Sequence, residues 1–392
     1  MLTHLSKTDT RLINILFLTS ILVFINIGPV SVSFPIGLMV LVYFSRRIHF
    51  KLFRKPVLWL TLLVLTGYIS SILSDIPFVN NLYFLIQLFY WLLLTCTIGQ
   101  LYPYIDKKML GKTIVVGTII LGTVNFLLGW GTQNSVAFTL VIFTPLGLYG
   151  IGKKALTFLY AFLMLFFMFF NESRSGFFIL TFEMLFLFFQ YFQLRKMKII
   201  IVSIVSVFVL FFFTPLNTII GKFIEPYNPE VAALLIDSDA VFSTDKSWIQ
   251  RKIQVQKGLQ LFEEHPIIGI GPNNFSKTYV DIDITNIQNV DEATLIETLK
   301  KADYRSTHNS YITLLSEFGA VGLAFFILFL IPFLIKSFQN INYKGESDFL
   351  LVVAVVGMCL YFYTIAAFYG TAAWLFYGLI YGYTNSYRKS KR

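Results

Sequence analysis

Charge is scarce in this 392-residue chain: Asp, Glu, Lys and Arg together make up 13% of it, roughly half the share usual in soluble domains. With a mean hydropathy of +0.71, that shortage excludes an ordinary soluble fold and points to a chain dissolved in lipid. Cysteine is nearly absent. Cys96 and Cys359 both lie inside apolar runs, where a thiol behaves as a small hydrophobe, so neither a disulfide framework nor a thiolate metal site is implied. The sequence also lacks H-E-x-x-H, G-x-S-x-G, a Walker loop and any clustered Asp motif for a divalent ion. No A-x-A-like cleavage site follows the first apolar run, which is therefore expected to be a span and not a removed signal peptide.

What is abundant fits the same class. Forty-three Phe and twenty-one Tyr suit helices that face lipid and its interfaces. Apolar runs centre near residues 12–27, 30–44, 57–74, 82–102, 113–129, 134–151, 155–170, 177–194, 199–215, 313–335, 349–368 and 374–387. At roughly 20 residues per crossing these predict an all-α polytopic membrane protein with about 12 transmembrane helices. The short second run, which contains Pro35, is expected to be tilted, kinked or re-entrant. The implied organisation is nine helices over 1–215, one large loop over 216–312 and three helices over 313–392.

Lys and Arg then orient the chain. With the N-terminus inside, 21 of them fall on the inner side, one (Arg174) on a short outer loop and nine in the long loop. Positive charge collects on the cytoplasmic side of short loops, so both termini are expected to be cytoplasmic and the long loop extracytoplasmic. The net charge of +10 therefore reports topology and does not argue for a nucleic-acid partner. The loop from about Leu216 to Glu317 holds fourteen acidic residues against nine basic ones. It is too long to be mere connection and is expected to contain helices of its own.

Three segments carry residues capable of chemistry. In Asn171-Glu172-Ser173-Arg174-Ser175-Gly176, Arg174 breaks the charge rule its neighbours obey. Its planar fork suits phosphate or carboxylate, and Ser175-Gly176 offers close backbone approach and a helix N-terminus to an anion. The alternative is an arginine snorkelling to Glu172 or to headgroups. Glu183 lies two turns into the next span, where a charge needs a partner; a structural pair, a protonated acid and a functional role all remain open. Between Trp248 and Phe262, Val255, Leu259 and Phe262 follow Arg251 at +4, +8 and +11. That spacing puts Arg251 on the apolar stripe of an amphipathic helix, with Lys252, Gln256 and Gln260 on the wet face. Snorkelling of Arg251 is again the alternative. His265-Pro266-Ile267-Ile268-Gly269-Ile270-Gly271-Pro272 reads as a helix stop and tight turn, not a nucleotide fingerprint. The third segment is Arg305-Ser306-Thr307-His308-Asn309-Ser310-Tyr311. Ser306 or Thr307 is expected to cap a helix running through His308. Tyr311, Leu315, Gly319 and Gly322 then form a stripe at +3, +7, +11 and +14 from it. A neutral imidazole at a helix N-terminus suits a general base, with Asp303 a candidate to orient it; a purely structural histidine is the alternative.

The order of these pieces resembles the bacterial O-antigen ligase and polymerase family. Arg251 precedes Pro266-Ile267-Ile268-Gly269-Ile270-Gly271 by fifteen positions, as the family's loop arginine precedes its Pro-x-x-Gly-x-Gly turn. An aromatic follows (Phe275), then His308-Asn309-Ser310-Tyr311 and the small-residue stretch Glu317-Phe318-Gly319-Ala320-Val321-Gly322. Ser173-Arg174-Ser175-Gly176 resembles the family's arginine between two mid-chain spans. Val255 stands where a Trp is common. The resemblance implies an all-helical fold similar to the C-type glycosyltransferases and lipid substrates linked to undecaprenyl diphosphate. It implies His308 as the base activating an acceptor hydroxyl, Arg174 and Arg251 as holders of the donor diphosphate, and Arg305, Asn309, Tyr311 and Ser175 as substrate-binding neighbours. It further implies no cofactor, no metal, inversion at the sugar carbon, and a flippase and chain-length regulator as partners.

The leading expectation is a polymerase joining lipid-linked repeat units on the outer face of the cytoplasmic membrane, for capsule, exopolysaccharide or O-antigen. A ligase passing finished glycan to a lipid or protein is the nearest rival. A twelve-span transporter would need paired intramembrane charges and matching halves, which the single large loop argues against.

Overall fold

A computed structural model describes residues 4–191, 246–280, 307–340 and 346–390, single positions excepted. The ninth apolar run, at 199–215, and Arg305 lie outside the described residues. The described chain is all-helical apart from one minimal ribbon. Its helices are α1 (Lys7–Ile21), α2 (Ser33–Ser45), α3 (Val57–Leu73), α4 (Leu82–Leu101), α5 (Lys107–Leu128), α6 (Gln133–Gly147), α7 (Lys154–Phe170) and α8 (Arg174–Tyr191). They continue with α9 (Lys246–Glu264), α10 (Ser310–Asn340), α11 (Glu346–Phe362) and α12 (Thr371–Ser390).

Among the described residues, three stretches are long and apolar enough to cross a membrane: Phe78–Tyr104, Lys107–Leu128 and Ser310–Ser337. Shorter apolar helices surround them, among them α2, α3 and α11. The 13 residues of α2 span about 20 Å, short of a hydrocarbon core of about 30 Å, in keeping with the expectation of an irregular second run. The first two apolar runs are not simply two helices. α1 stops at Ile21, and Asn26–Ile27 pairs antiparallel with Val30–Ser31. The β-branched Ile27 and Val30 favour that extended pairing over a continued helix.

The ends are built by local rules. Ser6 caps α1 reciprocally with Asp9, and the Asp9 carboxylate then meets Arg47 at 2.8 Å and the Tyr43 hydroxyl at 2.8 Å, joining the start of α1 to the end of α2. Asp106 caps α5, and Gly129 closes it in the left-handed conformation (φ +64°).

Small residues set the close helix contacts, as expected where lipid supplies no hydrophobic drive between helices. α4 and α12 meet where Gly99 admits the Tyr381 ring and Gly382 admits Tyr102. Trp91 stacks on Trp374 with ring centroids 6.0 Å apart, and the Thr95 hydroxyl donates to the Trp374 carbonyl at 2.7 Å. α3 faces α10 through Gly67 against Phe318 and through Trp59 stacked on Phe325. Glu183 of α8 is buried against Gly357 of α11, and neither carboxylate oxygen has a hydrogen-bond partner. Among the described residues, the structural ion pair held open for it is therefore not formed.

Candidate active site

The polar groups of interest gather at one end of the bundle, around a break in α10. At Gly319 the backbone turns to φ +66°, ψ −172°, a region only glycine adopts without strain. The helix resumes because the turn after α9 supplies its missing partners. Ala320 N–H donates to the Pro266 carbonyl at 2.8 Å and Val321 N–H to the Ile267 carbonyl at 3.1 Å. In return Ile270 and Gly271 donate their N–H groups to the Ser316 and Glu317 carbonyls. The two backbones lie so close that a Cβ on Gly319 would stand 2.3 Å from the Ile267 carbonyl, and one on Gly269 would stand 2.4 Å from the Glu317 carbonyl carbon. The Ser70 hydroxyl of α3 anchors the turn by donating to the Gly269 carbonyl at 2.7 Å.

Glu317 locks the same turn from within α10. Its buried carboxylate accepts the N–H groups of Asn273 and Phe275, each at 3.0 Å, and the Tyr369 hydroxyl. Lys277, just outside, donates to Asn81 Oδ1 at 2.7 Å. Partial burial holds its ammonium below the ordinary lysine range, and the Glu317 charge opposes that shift.

His308 does not lie on a helix. It precedes α10 in the left-handed region at φ +49°, uncommon for a non-glycine residue and often found at functional sites. The cap expected from Ser306 or Thr307 is made by Asn309, whose Oδ1 accepts from Tyr311 N–H at 2.9 Å and Ile312 N–H at 3.1 Å. Thr307 instead braces the turn, accepting from Asn309 N–H and sharing a 2.7 Å hydrogen bond with Thr313. Asn wins the cap because its carboxamide reaches two successive amides from the residue directly before the first helical position.

Ser173 caps α8, its hydroxyl accepting from Gly176 N–H at 3.4 Å. This places Arg174 as the first residue of α8 and Ser175 in its first turn. Asn171 fixes the preceding turn by donating to the Gln133 carbonyl at 2.7 Å.

The expected faces of α9 are corrected. Ile253, Gln254, Lys257, Gly258 and Leu261 are buried, whereas Leu259 is 41% exposed. Gly258 decides this. A Cβ there would lie 2.2 Å from Ile312, so α9 meets α10 along its glycine face and not along the most apolar stripe. Arg251 lies half-buried at the margin of that face.

The end of α11 draws these parts together. The Tyr361 hydroxyl shares a 3.2 Å hydrogen bond with Ser173 and also contacts Ser175. The Arg251 guanidinium is near enough to act electrostatically on the same phenol. Two residues back, the Cys359 carbonyl accepts from the Tyr311 hydroxyl at 2.7 Å. Just beyond, Ser310 donates to the Ile365 carbonyl at 2.6 Å and accepts from Ala367 N–H at 2.9 Å. One short platform thus holds the Arg174 turn and the His308 turn, with Arg251 within electrostatic reach of it. The Asn309 carboxamide oxygen and the Tyr311 hydroxyl, both expected at substrate, are engaged in this scaffold. Tyr361 carried no sequence signal; a tyrosine near the end of an apolar run looks like an interfacial anchor.

An all-helical apolar bundle with a cluster of polar and basic residues at one end defines an integral membrane protein with an end-on site. The O-antigen ligase family model matches residues 159–327, a stretch that contains Arg174, Arg251, His308 and the broken segment of α10. That match supports the resemblance to the O-antigen ligase and polymerase family, whose members are glycosyltransferase-like enzymes. No curated protein matches it.

Proposed function

We propose that this chain is a polysaccharide polymerase that joins undecaprenyl-diphosphate-linked oligosaccharides on the outer face of the cytoplasmic membrane. The observation that carries the reading is the joint attachment of the Ser173–Ser175 turn and the His308 turn to the end of α11, with Arg251 within electrostatic reach of the Tyr361 phenol. Arg174 and Arg251 hold the donor diphosphate, whose departing charge a guanidinium stabilises. His308 takes the proton of the acceptor hydroxyl as its oxygen attacks the anomeric carbon. The bond from that carbon to the diphosphate breaks, undecaprenyl diphosphate leaves, and a single displacement inverts the sugar carbon without a metal. Twelve spans, cytoplasmic termini and an extracytoplasmic loop complete the picture, supported by the asymmetry of 21 basic residues against one. A flippase would supply the substrate and a chain-length regulator would set the product.

Single replacement of His308, Arg174 or Arg251 by Ala in the source cells tests this. Long glycan is expected to vanish while lipid carrying one repeat unit accumulates, with transfer by the His308 variant down by roughly a hundredfold or more. Normal chain length in that variant would remove His308 from the chemistry. Accumulation of full-length polymer on lipid would convert the assignment to ligase.

A further inference from the structure

The inner face of α9 holds hydrogen-bonding capacity that the chain leaves unmet. Gln254 is fully buried, yet neither its amide oxygen nor its amide nitrogen has a partner. One turn earlier, the Gln250 amide nitrogen is also unmatched. One turn later, the fully buried Lys257 places its ammonium over the Phe275 ring at 5.1 Å. Positions 250, 254 and 257 follow the i, i+4, i+7 spacing of a single helix face. Interiors almost always satisfy a buried amide, and a Leu or Met would fill the same volume without the desolvation cost. An amide kept in such a place is matched to a group that arrives from outside the chain.

The chemistry of that group follows from the side chain. A carboxamide carries one acceptor oxygen and two donor hydrogens and no charge. It cannot neutralise a phosphate, which is the task of the arginine three residues earlier. It matches a neutral group that both donates and accepts, as sugar hydroxyls and acetamido groups do. Arg251 and Gln254 are separated by about 4.5 Å of helix rise, comparable to the step from a diphosphate to the sugar bonded to it.

We propose that Gln254, with Gln250 beside it, hydrogen-bonds the sugar directly attached to the lipid diphosphate and so distinguishes a loaded donor from spent lipid diphosphate. The inference rests on the reading of Arg251 as the diphosphate holder. It gives the site a means of releasing its product: once the sugar is transferred, the departing lipid keeps the arginine contacts and loses the amide ones.

The test uses the full chain in lipid nanodiscs and two probes. One is undecaprenyl diphosphate; the other is the undecaprenyl-diphosphate-linked repeat unit extracted from the source cells. The wild-type chain is expected to bind the sugar-bearing probe more tightly. Gln254→Ala should weaken that probe about tenfold and leave the bare diphosphate unchanged, while Arg251→Ala weakens both. Gln254→Met, nearly isosteric, should reproduce the Ala pattern, and decides the matter if the Ala variant is poorly folded. Equal weakening of both probes by the Gln254 variants, or of neither, overturns the sugar contact while leaving Arg251 as diphosphate holder. Failure of the wild-type chain to bind either probe overturns the site reading itself, and the subsite with it.

Discussion

The pairing of α4 with α12 and the joint between α10 and the turn after α9 use glycine for opposite purposes. In the first, Gly99, Gly378 and Gly382 sit in unbroken helices and receive side chains: the Tyr381 ring, Ile98 and Tyr102. In the second, Gly269 and Gly319 have positive φ and receive backbone, so that the turn after α9 is threaded into the break in α10. A side chain can move to another rotamer; a backbone in contact with backbone cannot. The first pair is packing that supports a bundle. The second is a joint that fixes where α9, the loop after it and the start of α10 stand relative to each other, and of the candidate catalytic residues Arg251 and His308 lie on the segments it joins.

The sharpest way to break the comparison is to add a methyl group on each side of it. Gly319→Ala combines a conformation reserved for glycine with a backbone clash, and should cost on the order of 4 kcal/mol or more. Thermal unfolding in detergent is expected to show a fall in Tm for it well beyond that of Gly99→Ala, whose new Cβ meets the ring of Tyr381. A larger loss from Gly99→Ala would reverse the ranking of the two joints.

A smaller effect is expected at Glu317. Replacing it by Ala leaves the N–H groups of Asn273 and Phe275 and the Tyr369 hydroxyl without their acceptor. The loss should be roughly 2–3 kcal/mol, with faster hydrogen exchange confined to the Asn273 and Phe275 amides. Gln, which keeps one acceptor oxygen, should recover part of it. Uniform exchange throughout the bundle would show that Glu317 supports the whole fold and not the joint.

The smallest effect belongs to the opposite end of the bundle, where Asp9 meets Arg47. Burial pushes the Asp9 carboxyl up, but the Ser6 N–H and hydroxyl, the Tyr43 hydroxyl and the Arg47 charge outweigh it and hold it below the ordinary range. A lowered folded value means stability that is present above about pH 3.9 and is lost as pH falls through the depressed value. Arg47 is 43% exposed, so its share is below about 1 kcal/mol and screened by salt. Arg47→Gln should flatten the acid limb of a stability–pH curve by about that much; an unchanged limb would leave the Ser6 and Tyr43 contacts as the whole cause.

Much of this was legible in the chain. The hydropathy runs anticipated most of the helices, because burial in lipid demands long apolar segments and leaves a plain periodic trace. The spacing from Arg251 to the Pro266–Gly271 turn and on to His308 marked the site segments, and the family match at 159–327 covers them. The inner face of α9 was not legible. Apolar residues were expected to point at protein, and the helix turned on Gly258 instead, burying Gln254 and Lys257. The cap of α10 moved to Asn309 because several adjacent polar residues competed for one role and only geometry chose among them.

Composition alone decided the solvent this chain prefers and, through scarce and unevenly placed charge, the sidedness expected of it. Both are sums over many residues, and sums survive ignorance of contacts. Only the tertiary structure decided which groups meet: that Tyr361 holds the Ser173 turn, that Glu317 clamps a distant loop, and that α10 breaks at Gly319 to receive it. Those outcomes depend on single close approaches between segments far apart in sequence, and no local pattern records them.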